Sequence, residues 1–331
     1  MVNLSTHRLN ELKNNFAGKK IAVIGDMMLD CYFWGDVKRI SPEAPVPVVE
    51  VGDEFYRFGG AANVALNVLK LNGIPFPIGV IGNDNDGKIF TSLIKENQMH
   101  SDGIFVDETR PTTAKTRVIA HNQHVVRIDK ESKDYLNEEM RKKIFSYLES
   151  HSKKLDGIIL QDYNKGVLTP ELIDKIIHFA NNNDILITVD PKFNNFFAYK
   201  NVTVFKPNRK EAEDVLGMKI RSAGDISSAG KLIFEKLKAK NVLLTLGEEG
   251  IAIFEEHQPE KRMPTKAIKV ADVSGAGDTV ISTLTMALAS NANILEACYL
   301  ANFAAGIVCG EVGIVPIEIE RLFKVISEDH K

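Results

Sequence analysis

The most informative segment of this sequence reads Val270-Ala-Asp-Val-Ser-Gly-Ala-Gly-Asp-Thr-Val-Ile281. An extended apolar approach leads into Gly275-Ala276-Gly277, and Asp278 then opens a helix-competent run over 279–289. Glycines let a backbone turn tightly and approach a ligand closely. The unpaired first amides of a helix, together with its dipole, form an anion site. The segment therefore predicts a strand-to-helix turn that binds an anion.

Asp278 stands where a carboxylate would repel a bound anion. The carboxylate has a chemical role if Asp278 acts as a general base that takes a proton from a hydroxyl attacking a phosphoryl group. The alternative is a plain strand-to-helix turn in which Asp278 only caps the helix. Both interpretations place Asp278 in the first helical turn.

Composition narrows the class of protein. The chain has 331 residues, 44% of them hydrophobic, which is enough to build a full core. The net charge is -3 with scattered Lys and Arg, so no basic face for a nucleic acid is expected. The N-terminus does not resemble a signal peptide, and no apolar run reaches membrane-spanning length. Three cysteines without metal or redox spacing indicate reduced thiols in a cytoplasmic protein.

Short apolar runs alternate with helical patterns along most of the chain. This alternation predicts an α/β fold, a doubly wound and mostly parallel sheet in one domain spanning 1–331. Strands are predicted at 20–25, 76–81, 157–160, 185–189, 202–205, 242–246 and 251–254. Helices are predicted at 5–16, 61–71, 88–97, 137–151, 169–181, 208–216, 276–289, 295–309 and 317–326.

Residues 31–51 interrupt this rhythm. Pro42, Pro45 and Pro47 exclude a helix and favour edge strands. A second set of strands within 103–129 is the expected partner, and together the two segments predict a small β lid. Exposed strand edges are usually covered, so a homodimer formed through the lid is expected.

Polar residues follow nearly every predicted strand, which places them at the edge where open α/β sheets bind ligands. These residues are Asp30, Asp162, Lys165, Asp190, Lys192, Asn208 and Thr245. A further segment, Gly59-Gly60-Ala-Ala-Asn63, opens a helix and would let a ligand approach the backbone. Its alternative is a helix start without a ligand.

Two of these segments carry a resemblance to a known family. Gly59-Gly-Ala-Ala-Asn63 and Gly275-Ala-Gly-Asp278 resemble the two signatures of the ribokinase-like (PfkB) carbohydrate kinases, in order and separation. A narrower resemblance, to the D-glycero-β-D-manno-heptose-7-phosphate kinases, rests on the segments 25–30, 34–35, 39–49, 162–166, 190–192 and 272–282. Many of those kinases carry a nucleotidyltransferase domain as well. This chain ends where the kinase would, so that domain is expected to be absent.

The resemblance implies ATP-dependent phosphorylation of the heptose 7-phosphate at O1, giving the 1,7-bisphosphate for lipopolysaccharide-core synthesis. It implies that Asp278 is the base and that the amides of Gly275, Ala276 and Gly277 stabilise the transferred group. Sugar hydroxyls are assigned to Asp30, Gly59, Gly60 and Asn63. The nucleotide is assigned to Asn208, Glu211, Thr245, Gly247, Gly250 and Asn302. Mg²⁺ is expected through water near Asn208 and Glu211, and a monovalent cation such as K⁺ near Asp272 and Ser274.

A phosphate at the far end of the sugar requires cations. The candidates are Lys115, Arg117 and Arg127 on the lid side, with Lys165 and Lys192 at the sheet edge. Alternatively these are solvated surface charges, and the enzyme acts on an unphosphorylated sugar or a nucleoside. A non-catalytic sugar or nucleotide sensor is a third possibility, although a sensor has no use for Asp278. Dinucleotide-dependent oxidoreduction is disfavoured because the first strand lacks the glycine fingerprint.

Overall fold

The computed structural model describes residues 4–121, 123–266, 271–311 and 313–329. In chain order the strands are β1 (Lys20–Gly25), β2 (Met27–Ile40), β3 (Pro47–Gly59), β4 (Ile74–Gly82), β5 (Ile104–Asp107), β6 (Thr113–Ala120), β7 (Gln123–Lys130), β8 (Gly157–Gln161), β9 (Leu186–Asp190), β10 (Val204–Phe205), β11 (Asn241–Thr245), β12 (Ile251–Glu255) and β13 (Lys261–Met263). The helices are α1 (Thr6–Phe16), α2 (Gly60–Lys70), α3 (Asn85–Glu96), α4 (Glu138–His151), α5 (Pro170–Asn182), α6 (Arg209–Leu216), α7 (Ala223–Leu237), α8 (Ala276–Ala289), α9 (Ile294–Cys309) and α10 (Ile319–Asp329).

The main sheet confirms the predicted fold class. Its strand order is β13-β12-β11-β10-β9-β8-β1-β4-β5, and every neighbouring pair from β11 to β5 is parallel. At one edge β12 runs antiparallel to both of its neighbours, β11 and β13. The central strands are apolar runs buried on both faces, as parallel strands between helices must be.

Helices cover the sheet on both faces and create two cores. One core contains buried residues of α1, α2, α8, α9 and α10, and the other contains those of α4, α5 and α7. Helices α2 and α8 lie side by side in the first core. Buried Asn67 of α2 accepts hydrogen bonds from Thr279 Oγ1 (3.3 Å) and from the amide of Ile317 (3.0 Å), so it ties α8 and the approach to α10 to α2.

The predicted lid forms, with different limits. Strands β3-β2-β6-β7 make a separate four-stranded sheet. The first lid strand in chain order, β2, begins at Met27 rather than at residue 31, because the chain passes from β1 into β2 through Asp26 alone. The predicted second segment, 103–129, is wrong at its start: β5 pairs with β4 in the main sheet, where Ile104 and Phe105 pack against the two cores.

Two elements are absent from the sequence-based prediction. Helix α7 carries a capping box in which Ser222 and Asp225 bond each other's backbone amides, and this Ser-x-x-Asp signal was available in the sequence. Strand β13 is three residues long and depends on its pairing with β12. In the part of the chain described, no helix combines the length and apolar character needed to cross a bilayer.

Candidate active site

The carboxyl ends of the central parallel strands meet the start of α8 at one edge of the main sheet. Gln161 ends β8, Asp190 ends β9 and Lys206 follows β10. Asp190, Lys206 and the glycine turn before α8 line a cleft of about 780 Å³. The predicted gathering of polar strand ends at one edge therefore occurs.

Gly275 makes the turn into α8. Its φ of 78° lies in the left-handed region, and a Cβ there would lie 3.2 Å from Ile314 Cγ2. Residues 271–274 form no strand, and Val270, part of the predicted extended approach, lies outside the described residues. Ala276 departs from its predicted role, because its amide donates to the Val273 carbonyl at 3.2 Å and is not free for an anion.

Asp278 is 3% exposed and sits in the first turn of α8. Its Oδ2 accepts from Asn63 Nδ2 at 2.7 Å, and its Oδ1 accepts from Gln161 Nε2 at 3.1 Å and from Tyr163 OH at 2.8 Å. Burial raises the pKa of Asp278 to about 6, and the charge of Asp190 adds to that rise. The Asn63 and Tyr163 donors oppose it. A carboxylate with such a pKa is largely ionised at neutral pH and suited to accept a proton.

A buried ion pair lies beside the turn. Lys206 Nζ is 3.0 Å from Asp190 Oδ2, and both side chains are almost fully buried. A Cβ at Gly277 would lie 3.6 Å from Asp190 Oδ2 and 3.8 Å from Lys206 Nζ. Because Gly277 has no side chain, the space in front of the Lys206 ammonium stays open. A bound phosphoryl group would require such a space.

The sequence-based list of site residues omitted Gln161, Tyr163 and Lys206. All three follow or end a strand, so the signal that identified Asp190 could have found them. A polar residue at a strand end does not by itself indicate whether its side chain turns towards Asp278.

Five of the six residues assigned to the nucleotide line the same cleft. Asn208, Thr245, Gly247, Gly250 and Asn302 all contribute to its wall. Two of them are held by the chain itself: Asn208 caps α6, and Asn302 Nδ2 donates to the Pro264 carbonyl at 2.7 Å.

Glu211 forms a capping box with Asn208. The amide of Asn208 donates to Glu211 Oε2, and the amide of Glu211 donates to Asn208 Oδ1, both at 2.8 Å. Each of these two oxygens accepts one backbone hydrogen bond, so the capping box fixes the orientation of both side chains. Within the described ranges no cluster of three His, Cys, Asp or Glu side chains is placed to hold a metal. The site fits Mg²⁺ bound through water and nucleotide phosphates.

Lys192 was grouped with the lid cations as a candidate for the far phosphate, and the structure places it elsewhere. Its ammonium bonds Glu211 Oε1 and lies 5.2 Å from the centre of the Tyr163 ring, within the cleft. Although burial lowers the pKa of Lys192, Asp190 and Glu211 raise it further, so the side chain stays charged. Lys192 therefore lines the same cleft as Asn208, Thr245 and Asn302.

The glycines of the second segment are required by close packing of the chain itself. A Cβ at Gly59 would lie 2.4 Å from Asp30 Oδ2, and one at Gly60, where φ is 56°, would lie 2.4 Å from the Asp26 carbonyl. Asn63, three residues later, reaches Asp278. Asp30, Gly59, Gly60 and Asn63 are therefore brought together next to Asp278.

Each of the four remaining cations has a carboxylate partner. Arg117 pairs with Asp30, and its guanidinium lies 5.2 Å from the centre of the Tyr32 ring. Burial raises the pKa of Asp30 although Arg117 opposes the rise. Strand register places Asp30 opposite Lys115, and Arg117 opposite Arg127, on one face of the lid.

Lys115 and Lys165 converge on Glu131. The two ammonium groups lie 3.7 Å and 2.7 Å from Glu131 Oε2, and Lys115 is also 3.5 Å from Asp129 Oδ2. Arg127 is 58% exposed and bonds Asp129 at 2.9 Å. Four predicted cations thus form one region, the lid cation group (Lys115, Arg117, Arg127 and Lys165), separate from Lys192.

Asp272 braces the loop before the turn. Its Oδ1 accepts from the Ser274 amide at 2.9 Å and its Oδ2 from the Gly313 amide at 3.1 Å. Burial raises the pKa of Asp272, but these bonds outweigh it and hold the pKa below the ordinary value. Both oxygens accept amide hydrogen bonds, so Asp272 braces the loop whose backbone carbonyls would hold a monovalent cation.

Comparison with known proteins identifies the family. The sequence profile of the pfkB family carbohydrate kinases matches residues 18–319. The chain is 44% identical over 312 residues to the bifunctional protein HldE of Helicobacter pylori strain HPAG1, covering 94% of this chain and 67% of that protein.

Solved structures agree on the fold. Escherichia coli phosphofructokinase-2 in complex with potassium superposes with a TM-score of 0.74 at 20% identity, over 94% of this chain and 99% of that one. Arabidopsis thaliana ribokinase complexed with ribose and ATP gives 0.73 at 18% identity, over 93% and 99% of the respective chains. The fold is ribokinase-like, and the chain belongs to the PfkB family of carbohydrate kinases.

Proposed function

We propose that this kinase transfers the γ-phosphoryl group of ATP to O1 of D-glycero-β-D-manno-heptose 7-phosphate in the cytoplasm, giving the 1,7-bisphosphate for lipopolysaccharide-core synthesis. The observation that carries the proposal is the position of Asp278, a buried carboxylate with a raised pKa, beside the glycine turn on the cleft. The resemblance to heptose 7-phosphate kinases and the 44% identity to HldE support the choice of sugar.

Asp278 acts as the general base. As the sugar O1 bonds to the γ-phosphorus, the bond from that phosphorus to the β–γ bridging oxygen breaks and ADP leaves with the electron pair. The hydroxyl proton passes to Asp278, and the amides of Gly275 and Gly277 stabilise the transferred group. Lys206 faces the same space and offsets negative charge there.

Residues on the nucleotide side hold ATP in line with the base. Thr245, Gly247, Gly250 and Asn302 border it, and Lys192 contributes charge near its phosphates. Asn208 and Glu211 orient waters of a Mg²⁺ ion, which when bound neutralises phosphate charge.

The lid cation group binds the far phosphate. Charge-assisted hydrogen bonds from Arg and Lys are the strong contacts that a phosphate requires. In the structure these cations form ion pairs with Asp30, Asp129 and Glu131. The incoming phosphate competes with these carboxylates, and Asp30 becomes available to sugar hydroxyls.

The same pairing favours a second candidate, a kinase of an unphosphorylated sugar or a nucleoside. Cations that are already neutralised by Asp30, Asp129 and Glu131 need no phosphate partner. In this case the lid cation group only stabilises the lid.

A monovalent cation and a second subunit complete the proposal. K⁺ bound by carbonyls near Asp272 and Ser274 would order the turn, and E. coli phosphofructokinase-2 has been solved in complex with potassium. A homodimer would cover the outer face of the lid, where Val126 and Ile128 are exposed.

One experiment separates the candidates. ADP release is measured with the purified chain, ATP and Mg²⁺ against heptose 7-phosphate, the dephosphorylated heptose, fructose 6-phosphate, ribose and adenosine. The proposal expects the highest kcat/KM for heptose 7-phosphate, by at least about a hundredfold over the dephosphorylated sugar, since two charge-assisted contacts are lost. A preference for any unphosphorylated acceptor would replace it with the second candidate.

A further inference from the structure

The two oxygens of Asp278 have different surroundings. Oδ1 accepts two hydrogen bonds, from Gln161 Nε2 and from Tyr163 OH, whereas Oδ2 accepts one, from Asn63 Nδ2. Each carboxylate oxygen has about two lone-pair sites. Oδ1 is therefore saturated by the chain, and Oδ2 keeps one site for another donor.

We propose that Oδ2 of Asp278 is the atom that takes the substrate proton, and that Tyr163 and Gln161 are positioning residues that hold Oδ1. The inference rests on Asp278 being the base and extends that assignment to a particular oxygen. The proton of the attacking hydroxyl moves to the free site of Oδ2 while the oxygen bonds to phosphorus, and Oδ1 keeps its two donors throughout.

Gln161 can occupy only one orientation in this network. Its Nε2 donates to Asp190 Oδ2 at 3.2 Å and to Asp278 Oδ1 at 3.1 Å. Since both partners are carboxylates, the amide nitrogen must face them. Gln161 thereby fixes the separation between the base and the Asp190–Lys206 ion pair.

Tyr163 is fixed by its backbone. The buried carboxylate of Asp26 accepts hydrogen bonds from the amides of Tyr163 (2.7 Å), Lys165 (3.1 Å) and Val167 (3.2 Å). These bonds shape the loop after β8 so that the Tyr163 hydroxyl reaches Oδ1. Lys192 lies over the ring, so the same tyrosine also contacts the nucleotide side.

The tyrosine stays protonated throughout the working range. Burial, followed by the charge of Asp278, raises the pKa of Tyr163 well above its ordinary value. Its hydroxyl therefore always has a hydrogen to donate and stabilises the ionised base. The other charged groups around Asp278 are Asp190 at the end of β9, Lys206 after β10, and Lys192.

Tyr163→Phe removes one Oδ1 donor, together with the contact that the same hydroxyl makes with the Gln161 side chain. Losing a donor to the ionised form raises the pKa of the base, by about half to one unit for one hydrogen bond. We expect the acidic limb of kcat/KM against pH to move up by that amount, and kcat to fall by about tenfold because Oδ1 is free to rotate towards the substrate. Gln161→Met tests the same oxygen independently and should move the limb in the same direction.

Tyr199→Phe is the matched control. Tyr199 is also buried and donates to a carboxylate, Asp162 Oδ2 at 2.6 Å, but has no bond to Asp278. Tyr199→Phe should lower the melting temperature and leave the acidic limb of kcat/KM against pH unchanged. If the acidic limb of kcat/KM against pH stays at its wild-type position in both Tyr163→Phe and Gln161→Met, the positioning role is overturned, whatever happens to kcat. The base assignment is tested separately, since only wild-type turnover in Asp278→Asn would remove it.

Discussion

Asn63 Nδ2 donates to Asp278 Oδ2 at 2.7 Å and joins two glycine-containing segments that lie 215 residues apart in the chain. The bond is buried, and the same amide nitrogen lies 3.3 Å from the position that a Cβ on Gly275 would occupy. The two family signatures therefore lie in one site, in which α2 orients the carboxylate on α8 that we propose as the base.

The first prediction concerns pH. With a pKa of about 6, Asp278 loses its ability to accept a proton below that pH, so log kcat/KM should fall with unit slope on the acid side. Asp278→Asn should lower kcat by about 10²–10⁴-fold at pH 8. Asp174→Asn, at an exposed carboxylate, is the control. Turnover within a factor of three of wild type in Asp278→Asn would contradict the assignment.

The same pKa has a consequence for stability. Because folding raises the pKa of Asp278, its favourable contribution is fully present below the ordinary pKa of 3.8 and is lost as pH rises through about 6. At pH 8 the protein carries the cost of a buried charge. Asp278→Asn should therefore unfold at a temperature at least equal to that of wild type, which calorimetry can check, and a large drop would indicate a mainly structural carboxylate.

The second prediction separates the two cation groups. Lys192→Met should raise the KM for ATP by about ten- to a hundredfold with little change for the sugar, since Lys192 lies in the cleft by Glu211. Arg117→Met should raise the KM for the sugar and leave the KM for ATP nearly unchanged. Initial rates with each substrate varied in turn measure both effects. An unchanged KM for ATP in Lys192→Met would return this lysine to the far phosphate.

Lys192 also shows the limit of prediction from sequence. Alternating strands and helices located the sheet edge, and that edge carries the site. The pattern cannot specify which partner a long side chain selects at the edge. Asp190, Glu211 and the Tyr163 ring attract Lys192 only after the end of β9, the first turn of α6 and the loop after β8 have come together.

The lid illustrates a different limit. Its proline-containing segment was recognisable because it breaks the α/β rhythm, although Pro42 and Pro45 lie in the connection between β2 and β3. In contrast, β5 was assigned to the lid although it pairs with β4. Short strands such as β5 and β13 take their sheet from tertiary pairing rather than from local sequence. Ala276 is a third case, since only the three-dimensional turn shows that its amide is used by Val273.

The third prediction concerns monovalent cations. If carbonyls near Asp272 bind K⁺, activity should rise when potassium replaces tetramethylammonium at constant ionic strength. Asp272→Ala removes the brace formed with the Ser274 and Gly313 amides and should abolish the response. Asp174→Ala, at an exposed carboxylate of α5, is a control that should respond as wild type does. Equal rates in the two salts would eliminate the site.

The fourth prediction concerns packing behind the nucleotide side. A Cβ at Gly230 in α7 would lie 2.0 Å from Phe254 Cζ. Gly230→Ala should cost about 1–3 kcal/mol from overpacking, which exceeds the roughly 1 kcal/mol that alanine gains in helix propensity. Gly224→Ala in the same helix meets only Ser222 Oγ at 3.7 Å and should be neutral or stabilising. Urea unfolding distinguishes them, and equal midpoints would refute the contact.

The last prediction tests the dimer. All residues of β7, the edge strand of the lid, are exposed, and its outer face presents Val126 and Ile128 at 48% and 55% exposure. A strand with one open edge and apolar side chains exposed on one face is a surface for pairing with a second copy. Ile128→Lys should therefore convert a dimer into a monomer in sedimentation equilibrium, because burying an unpaired ammonium is unfavourable. Val106→Lys places the same charge on β5, at the edge of the main sheet, where the side chain is 50% exposed, and should leave the dimer intact. A wild-type chain that stays monomeric at tens of micromolar, or an Ile128→Lys chain that stays dimeric, would show that this face of the lid is not the interface.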